Sequence, residues 1–211
     1  MSAIGYSRTI VALATGAVII LGAFQSAWAQ NAAAERIRVR GTIESLDGDQ
    51  LLVKTREGTD AKVALKSGWK VSGVKKASVE DIKPGDFVGV ASLPKSGGGD
   101  SALEVLIFPA AMKGTGEGSR PWDLKPNSSM TNATVANAVK AVDGHTITLT
   151  YHGQEKTISI PDNTPIVTFA PATATDLKPG AAVFIIAERA ADGAISASQV
   201  AVGTNGIVPP M

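Results

Sequence analysis

A short turn motif that occurs twice constrains the fold of this chain more than any other feature of its sequence. Residues 81–86 read Asp-Ile-Lys-Pro-Gly-Asp, and residues 176–180 read Asp-Leu-Lys-Pro-Gly, 95 positions further along. A capping pattern begins at Ser78 and again at Thr173, so each copy is predicted to form one short helical turn that the proline ends. Pro followed by Gly then suits a type II turn. The chain is therefore predicted to contain two copies of one small unit.

Alternating apolar and polar residues surround each copy of the turn, and this alternation predicts half-buried strands. The predicted strands are residues 36–44, 51–55, 61–65, 87–93 and 103–108 in the first half, and 134–142, 146–151, 156–160, 183–188 and 195–202 in the second. Asp-Gly pairs at residues 47–48 and 143–144 predict tight hairpins. We expect an all-β protein of two tandem five-stranded antiparallel mini-barrels, of the OB-fold or SH3-like kind, related by an internal repeat.

The first 29 residues have the composition of a secretory signal peptide. Arg8 is their one charged residue, residues 9–24 are almost entirely apolar, and Ala27-Trp28-Ala29 is a small-x-small cleavage site. The apolar core is shorter than the about 20 residues that a membrane-spanning helix needs. Cleavage before Gln30 and a periplasmic location are therefore expected, and an uncleaved membrane anchor is the alternative.

The remaining residues divide into four segments by composition. The first barrel unit is expected at residues 36–109 and the second at residues 134–203. Between them, residues 110–133 are rich in Gly and Pro and are expected to form a linker. Residues 204–211 form a short tail.

Charge and composition exclude several functional classes. The chain has 20 Lys and Arg against 19 Asp and Glu, and loss of Arg8 with the signal peptide makes the two equal. Nucleic-acid binding depends on a basic surface, so no nucleic-acid partner is expected. The sequence contains no Cys, which excludes disulfides, thiol catalysis and thiolate metal sites.

No catalytic, cofactor or metal site is predicted. The only two histidines, His145 and His152, fall at opposite ends of one predicted strand, roughly 23 Å apart. Neither a zinc site nor a Ser-His-Asp arrangement is supported by that placement. Glu80, Asp81 and Asp86 group together, but capping and turn formation explain them better than a calcium or acid–base site.

Two surface sites are candidates for binding. Arg120, Trp122 and Asp123 lie in the linker, where they form either a latch packed on the barrels or an exposed site for a ligand. We expect the latch, since an exposed Trp leaves a large apolar area in water. Four lysines form the second candidate, a basic surface suited to an anionic polymer or to lipid headgroups. A solvated strand face is the simpler interpretation of these lysines. They are Lys66, Lys70, Lys75 and Lys76.

The linker also carries a resemblance to a known family. Residues 112–118, the Pro-Trp-Asp-Leu at 121–124 and the Met-Thr-Asn at 130–132 resemble small exported bacterial proteins of unknown function. The resemblance implies the repeated β-domain, and members are often labelled automatically as metal ABC transporter permeases. A permease needs several spanning helices of about 20 apolar residues each, and the sequence offers only the signal segment.

The sequence therefore favours a non-catalytic periplasmic binding or scaffold module whose partner is an envelope protein or polymer. A soluble accessory of a metal uptake system is one alternative, and it depends only on the family label. An enzyme with an unrecognised site is the other alternative, which the inventory of residues disfavours.

Overall fold

The computed structural model describes residues 34–141 and 144–210, so the predicted signal peptide at residues 1–29 lies outside the described residues. The protein is all-β, and the described residues belong to one compact unit. Its strands are β1 (Glu35–Asp47), β2 (Gln50–Thr55), β3 (Asp60–Lys76), β4 (Phe87–Pro94), β5 (Asp100–Ile107), β6 (Gly118–Pro121), β7 (Ser129–Ala141), β8 (Gly144–Tyr151), β9 (Gln154–Ile160), β10 (Ile166–Ala170), β11 (Ala182–Arg189) and β12 (Ile195–Gly203). Short 3-10 turns occupy Val79–Asp81, Ala110–Met112 and Ala174–Asp176. None of the described residues forms a helix with the length and apolar character needed to cross a bilayer.

The strands form a closed barrel and a second ring. In the first barrel, the strands follow the order β12-β11-β1-β2-β3, and β3 pairs in parallel with β12 to close it. In the second ring, the order is β5-β4-β7-β8-β9, and β5 meets β9 at the pairs Asp100–Ile158 and Ser101–Ser159. Strand β10 joins the two groups because it pairs with both β3 and β5. The second ring uses residues between 87 and 160, so its sequence lies inside that of the first barrel.

This pairing differs from the expected tandem arrangement, in which each half closes its own barrel. Strands β4 and β5 were expected to pair with β1–β3, but they pair with β7 and β9 instead. Strands β11 and β12 close the barrel of β1–β3. Alternation along a strand specifies which face is buried and not which strand lies beside it. Two halves with similar strands can therefore exchange them, as in domain swapping.

The two predicted Pro-Gly turns are confirmed. Asp86 N–H donates to Lys83 O at 3.1 Å and Ala181 N–H to Lys178 O at 3.1 Å, with positive φ at the intervening glycines. Each preceding 3-10 turn is capped by an Asp carboxylate, which accepts the backbone N–H of Ser78 at 2.8 Å or of Thr173 at 2.7 Å. The local sequence thus determines these turns.

Each turn packs on strands from the other half of the chain. Gly85 N–H donates to Val135 O of β7 at 2.8 Å, and Gly180 N–H donates to Ile43 O of β1 at 2.9 Å. The residue before each Lys-Pro-Gly follows the same exchange: Ile82 is buried in the core of the second ring, and Leu177 in that of the first barrel. The exchange therefore includes the turns as well as the closing strands.

A third apolar cluster lies where the two strand groups meet. Its buried members are Val74 of β3, Leu106 of β5, Val167 of β10 and Phe184 of β11. Phe108, Trp122, Phe169, Ala201 and Ile207 pack against it. The linker, the C-terminal segment and both strand groups thus share one junction, and the candidate functional site lies over it.

Candidate functional site: an arginine surface at the junction

Strand β1 presents three arginines on one face. Positions 36, 38 and 40 alternate with inward-facing apolar residues, so their side chains share the outer face of the barrel. They lie opposite Glu188, Ile186 and Phe184 of β11. Ile186 is 42% exposed, whereas Phe184 is only 6% exposed and belongs to the junction cluster. The row of arginines therefore runs from solvent towards the junction.

The linker brings a fourth arginine and an aromatic ring to this face. The Cζ atom of Arg38 lies 3.9 Å from the centroid of the Trp122 ring, and those of Arg40 and Arg120 lie 5.7 and 5.9 Å from it. A guanidinium group at such distances is attracted to the face of an indole. We call the group of Arg36, Arg38, Arg40, Arg120, Trp122 and Asp123 the arginine surface.

Asp123 pairs with Arg40, the buried end of the arginine row. Its Oδ1 accepts from Nη2 of Arg40 at 2.8 Å, and its Oδ2 accepts from Nη1 of Arg40 at 3.1 Å. Arg38 adds an ion pair of 3.5 Å with Oδ2. Burial acts to raise the pKa of Asp123, but the hydrogen bonds and charge of Arg40, with the charge of Arg38, outweigh it and lower the pKa. Asp123 is therefore a fixed anion.

The guanidinium groups of this surface also repel one another. Burial is the main cause that lowers the pKa of Arg120, and the positive charges of Arg38 and Arg36 lower it further. Arg120 donates from Nη1 to Gly116 O at 2.9 Å, which fixes the side chain across the start of β6. The repulsion from Arg38 and Arg36 indicates an excess of positive charge at this site, which a bound anion would relieve.

A buried carboxyl group, that of Glu104, shares a face of β5 with Leu106 of the junction cluster. Glu104 of β5 is 5% exposed, and its Oε1 has no hydrogen-bond partner among the described residues. Burial raises the pKa of Glu104 to about 7, against the charges of Arg40 and Arg56, and Asp123 raises it further. Burial of a carboxyl group disfavours its ionised form, which explains the direction of the shift.

Trp122 has features of both predicted roles. Its side chain is half-buried and packs against the junction cluster, as a latch would. Its Nε1 is buried without a hydrogen-bond partner among the described residues. The same ring carries Arg38 on its face. The structure thus brings Arg120, Trp122 and Asp123 together, and it adds Arg36, Arg38, Arg40 and Glu104, which the sequence analysis missed as site residues.

The four lysines of the second candidate do not form one patch. Lys66 makes an ion pair of 2.5 Å with Glu188, and this contact lowers the pKa of the glutamate. Lys75 and Lys76 are successive residues of β3, so their side chains point to opposite faces of the strand. Lys70 is exposed on the same strand. The lysines are distributed along β3, unlike the arginines gathered around Trp122.

A polar cluster inside one end of the second ring was also missed from the sequence. Lys156 Nζ lies 2.8 Å from Asp100 Oδ2 and donates to Ser129 Oγ at 3.0 Å. Ser92 Oγ donates to Asp100 Oδ2 at 2.5 Å and lies 3.4 Å from Ser129 Oγ. A lysine beside two serines resembles a nucleophile with its base, but Lys156 is paired with Asp100 rather than directed at one serine as a free base. We therefore interpret the cluster as structural.

Among the described residues, neither the histidines nor the cleft beside the C-terminal segment forms a convergent site. His145 and His152 lie at opposite ends of β8, as predicted. Among the described residues, no three His, Asp or Glu side chains come together in a way that could hold a metal ion. A cleft of about 890 Å³ between the Val79–Asp81 turn and the C-terminal segment is lined by Lys76, Glu80, His145 and Asp162, together with neutral polar and apolar side chains. Its charges are mixed, whereas those of the arginine surface are mainly of one sign.

Comparison with known proteins adds no identity to this geometry. No protein-family model, curated protein or solved structure matches the chain.

Proposed function

We propose that the protein is an exported, non-catalytic binding module that holds an anionic polymer of the cell envelope on the arginine surface. The observation that carries the proposal is the stacking of Arg38 on Trp122 at 3.9 Å. Burial lowers the pKa of Arg120, and Arg38 and Arg36 lie close enough to Arg120 for their positive charges to lower it further. An excess of positive charge around an aromatic ring is the chemistry that recognises a negatively charged group.

Guanidinium groups suit this role better than ammonium groups. Each presents several N–H donors in a planar fork, which matches the oxygen atoms of phosphate or carboxylate groups. Stacking on Trp122 holds the guanidinium of Arg38 in place, so less side-chain entropy is lost when a ligand binds. Arg36 and Arg120 are exposed and accessible to a polymer chain. The arginine surface is therefore prepared for an anion before it arrives.

As a second part of the proposal, the two halves of the chain are copies of one repeated unit. The two Lys-Pro-Gly turns make equivalent hydrogen bonds, from Gly85 to Val135 and from Gly180 to Ile43. The two glycines lie 95 positions apart and their acceptors 92 positions apart, so the equivalence is one of structure with a small shift in sequence. Strand β7 contains no arginine, so the arginine row of β1 has no counterpart there. One half of the repeat has therefore specialised for binding.

A charge-matched pair of variants tests the proposal. Arg36→Gln with Arg120→Gln should weaken binding of polyphosphate or polygalacturonate about 10- to 30-fold, because each removed charge contributes on the order of 1 kcal/mol near an anionic surface. Lys75→Gln with Lys76→Gln also removes two charges but lies outside the arginine surface, so binding should stay within about twofold. Affinities can be measured by calorimetry at two salt concentrations, since added salt should weaken the wild-type complex.

Equal losses in the two variants would show that net charge alone binds the polymer and would contradict the proposal. Absence of binding to either polymer by the wild-type protein would also contradict it. A preference for polyphosphate over polygalacturonate, or the reverse, identifies the class of anion.

Export makes a separate prediction at the N-terminus. Cleavage after Ala29 should give a mature protein that begins at Gln30, because the small residues Ala27 and Ala29 flank the predicted site. Terminal sequencing of periplasmic material checks this expectation. Recovery of the protein in the membrane fraction with Met1 retained would instead support an uncleaved anchor.

A further inference from the structure

Glu104 occupies an unusual position for a carboxyl group. It lies on β5 opposite Ala91 of β4, with its side chain 5% exposed and its Oε1 without a hydrogen-bond partner among the described residues. Three charged groups act on it from the elements around it: Arg40 of β1, Arg56 just after β2, and Asp123 of the linker. Arg40 and Asp123 belong to the arginine surface. Glu104 lies two residues before Leu106 on the same face of β5, and Leu106 shares a cluster with Phe184, whose ring centroid lies 5.0 Å from Cζ of Arg40. Glu104 is thus buried on the side of the junction that carries the proposed binding site.

We propose that a proton on Glu104 controls anion binding at the arginine surface, because the ionised carboxylate beside Arg40 competes with the ligand for positive charge. This inference rests on the proposed function of that surface. It adds a regulatory role for a buried residue that is not in contact with the ligand, so Glu104 is a positioning and charge-setting residue.

The geometry gives the direction of the effect. With Glu104 neutral, the carboxylate of Asp123 balances Arg40 through bonds of 2.8 and 3.1 Å, and Arg36, Arg38 and Arg120 remain to attract a ligand. Ionisation of Glu104 places a second negative charge within the cluster. Arg40 and Arg56 then attract that charge while Asp123 repels it, and the potential at the surface falls. We expect one such charge to weaken binding about five- to tenfold, since the effective dielectric constant at this partly shielded site lies between that of the protein interior and that of water.

The acidity of Glu104 supports a response near neutral pH. Burial raises its pKa to about 7, even though Arg40 and Arg56 act to lower the pKa. Below that pH the folded protein holds the proton and should bind anions tightly, and above it the carboxylate should weaken binding. Because linkage is reciprocal, a bound anion must in turn raise the pKa of Glu104. Anion binding should therefore take up a proton from solution.

Calorimetry with dextran sulfate tests this coupling, since its sulfate groups stay ionised throughout the pH range used. Titrations from about pH 5.5 to 8.5 at constant ionic strength, in two buffers with different ionisation enthalpies, give both affinity and proton uptake. Wild-type affinity should fall about five- to tenfold across the range, with proton uptake near neutral pH. Glu104→Gln should keep the tight, low-pH affinity at every pH and should take up no proton.

His152→Gln is the matched control, because His145 and His152 are the only two histidines of the chain. His152 lies beside Glu117 and Gly118 rather than beside Glu104, so this variant should keep the wild-type pH dependence. Loss of the pH dependence in His152→Gln, or its persistence in Glu104→Gln, would overturn the assignment to Glu104.

The outcomes separate the two proposals. If the double variant Arg36→Gln with Arg120→Gln binds more weakly but wild-type binding does not depend on pH, only the role of Glu104 is overturned. If that double variant binds dextran sulfate as tightly as the wild-type protein does, the proposed function itself is overturned. Should Glu104→Gln fold poorly, a carbon NMR titration of the wild-type Glu104 carboxyl decides the question. A midpoint near pH 7 supports the proposal, and one below about 5 contradicts it.

Discussion

Replacement of Lys156 by Met should lower the free energy of unfolding by about 3 kcal/mol, which corresponds to a fall in melting temperature of roughly 6 to 12 °C. The Lys156 and Asp100 side chains are only 19% and 12% exposed, and they pair at 2.8 Å inside the second ring. Removal of the ammonium leaves a buried carboxylate with Ser92 as its remaining side-chain partner. Thermal unfolding followed by circular dichroism measures the effect.

An exposed ion pair of the same length provides the control. Lys54 and Asp60 also pair at 2.8 Å, but their side chains are 48% and 58% exposed. Lys54→Met should leave the melting temperature nearly unchanged, because water screens exposed pairs. Lys156→Gln combined with Asp100→Asn should recover part of the loss, since it removes both charges and keeps hydrogen-bonding groups. Equal effects of Lys156→Met and Lys54→Met would refute the burial argument.

The pair also predicts how stability depends on pH. Burial acts to raise the pKa of Asp100, but hydrogen bonds from Lys156 and Ser92 and the charge of Lys156 together lower it. A carboxyl group with a lowered pKa stabilises the folded state above its pKa in the unfolded chain, and that stabilisation is lost as the pH falls. The wild-type protein should thus lose more stability than Asp100→Asn as the pH is lowered through about 4.

Trp122→Ala should also lower the free energy of unfolding by about 3 kcal/mol, near the lower limit for a large aromatic because the side chain is half-buried. The ring packs against the junction cluster and supports Arg38, so its loss affects both the linker and the β1 face. Trypsin should then cut faster after Lys113, because the segment from Gly114 to Gly118 loses its anchor. Melting curves and timed proteolysis measure the two effects.

Trp122→Phe tests whether the packing of an aromatic ring, rather than any change at this position, accounts for the loss of stability. Phenylalanine keeps an apolar ring that Arg38 can stack on, so it should restore most of the stability and of the protease resistance. The buried Nε1 of Trp122 has no hydrogen-bond partner among the described residues, so its removal should cost little. Unchanged melting and proteolysis in Trp122→Ala would mean that the ring does not hold the linker in solution.

Local structure could be predicted from the sequence wherever neighbouring residues determine it. The two Pro-Gly turns are confirmed, and so is β1, whose alternating residues indicate one buried face. Strands β6 and β10 were missed because they are short, with four and five residues, and follow segments rich in Gly or Pro. Strands β4 and β5 form the expected hairpin, but their expected placement in one barrel with β1–β3 was not confirmed. Partner choice depends on contacts between distant residues, which alternation does not encode.

The candidate site could be predicted only in part for the same reason. Trp122 was recognisable as an unusual residue in a Gly-rich linker, and Arg120 and Asp123 as its neighbours. The arginines at positions 36, 38 and 40 were visible as the polar face of a strand, which is common on protein surfaces. Only the fold places Trp122 over that strand and buries Glu104 beside the junction cluster. A row of like charges on one strand face is the signal that could have drawn attention to β1.

The nested order of the strands has a consequence for folding during synthesis. Strands β4, β5, β7, β8 and β9 are all present once residue 160 has been made, so the second ring can assemble early. Strands β1–β3 come first but must wait for β11 and β12, the last strands of the chain. Pairing between such distant segments is slow, and the waiting strands expose unpaired edges that can join other chains. A chain truncated after residue 160 should therefore form the second ring but not the first barrel. It should aggregate through the unpaired edges of β1–β3.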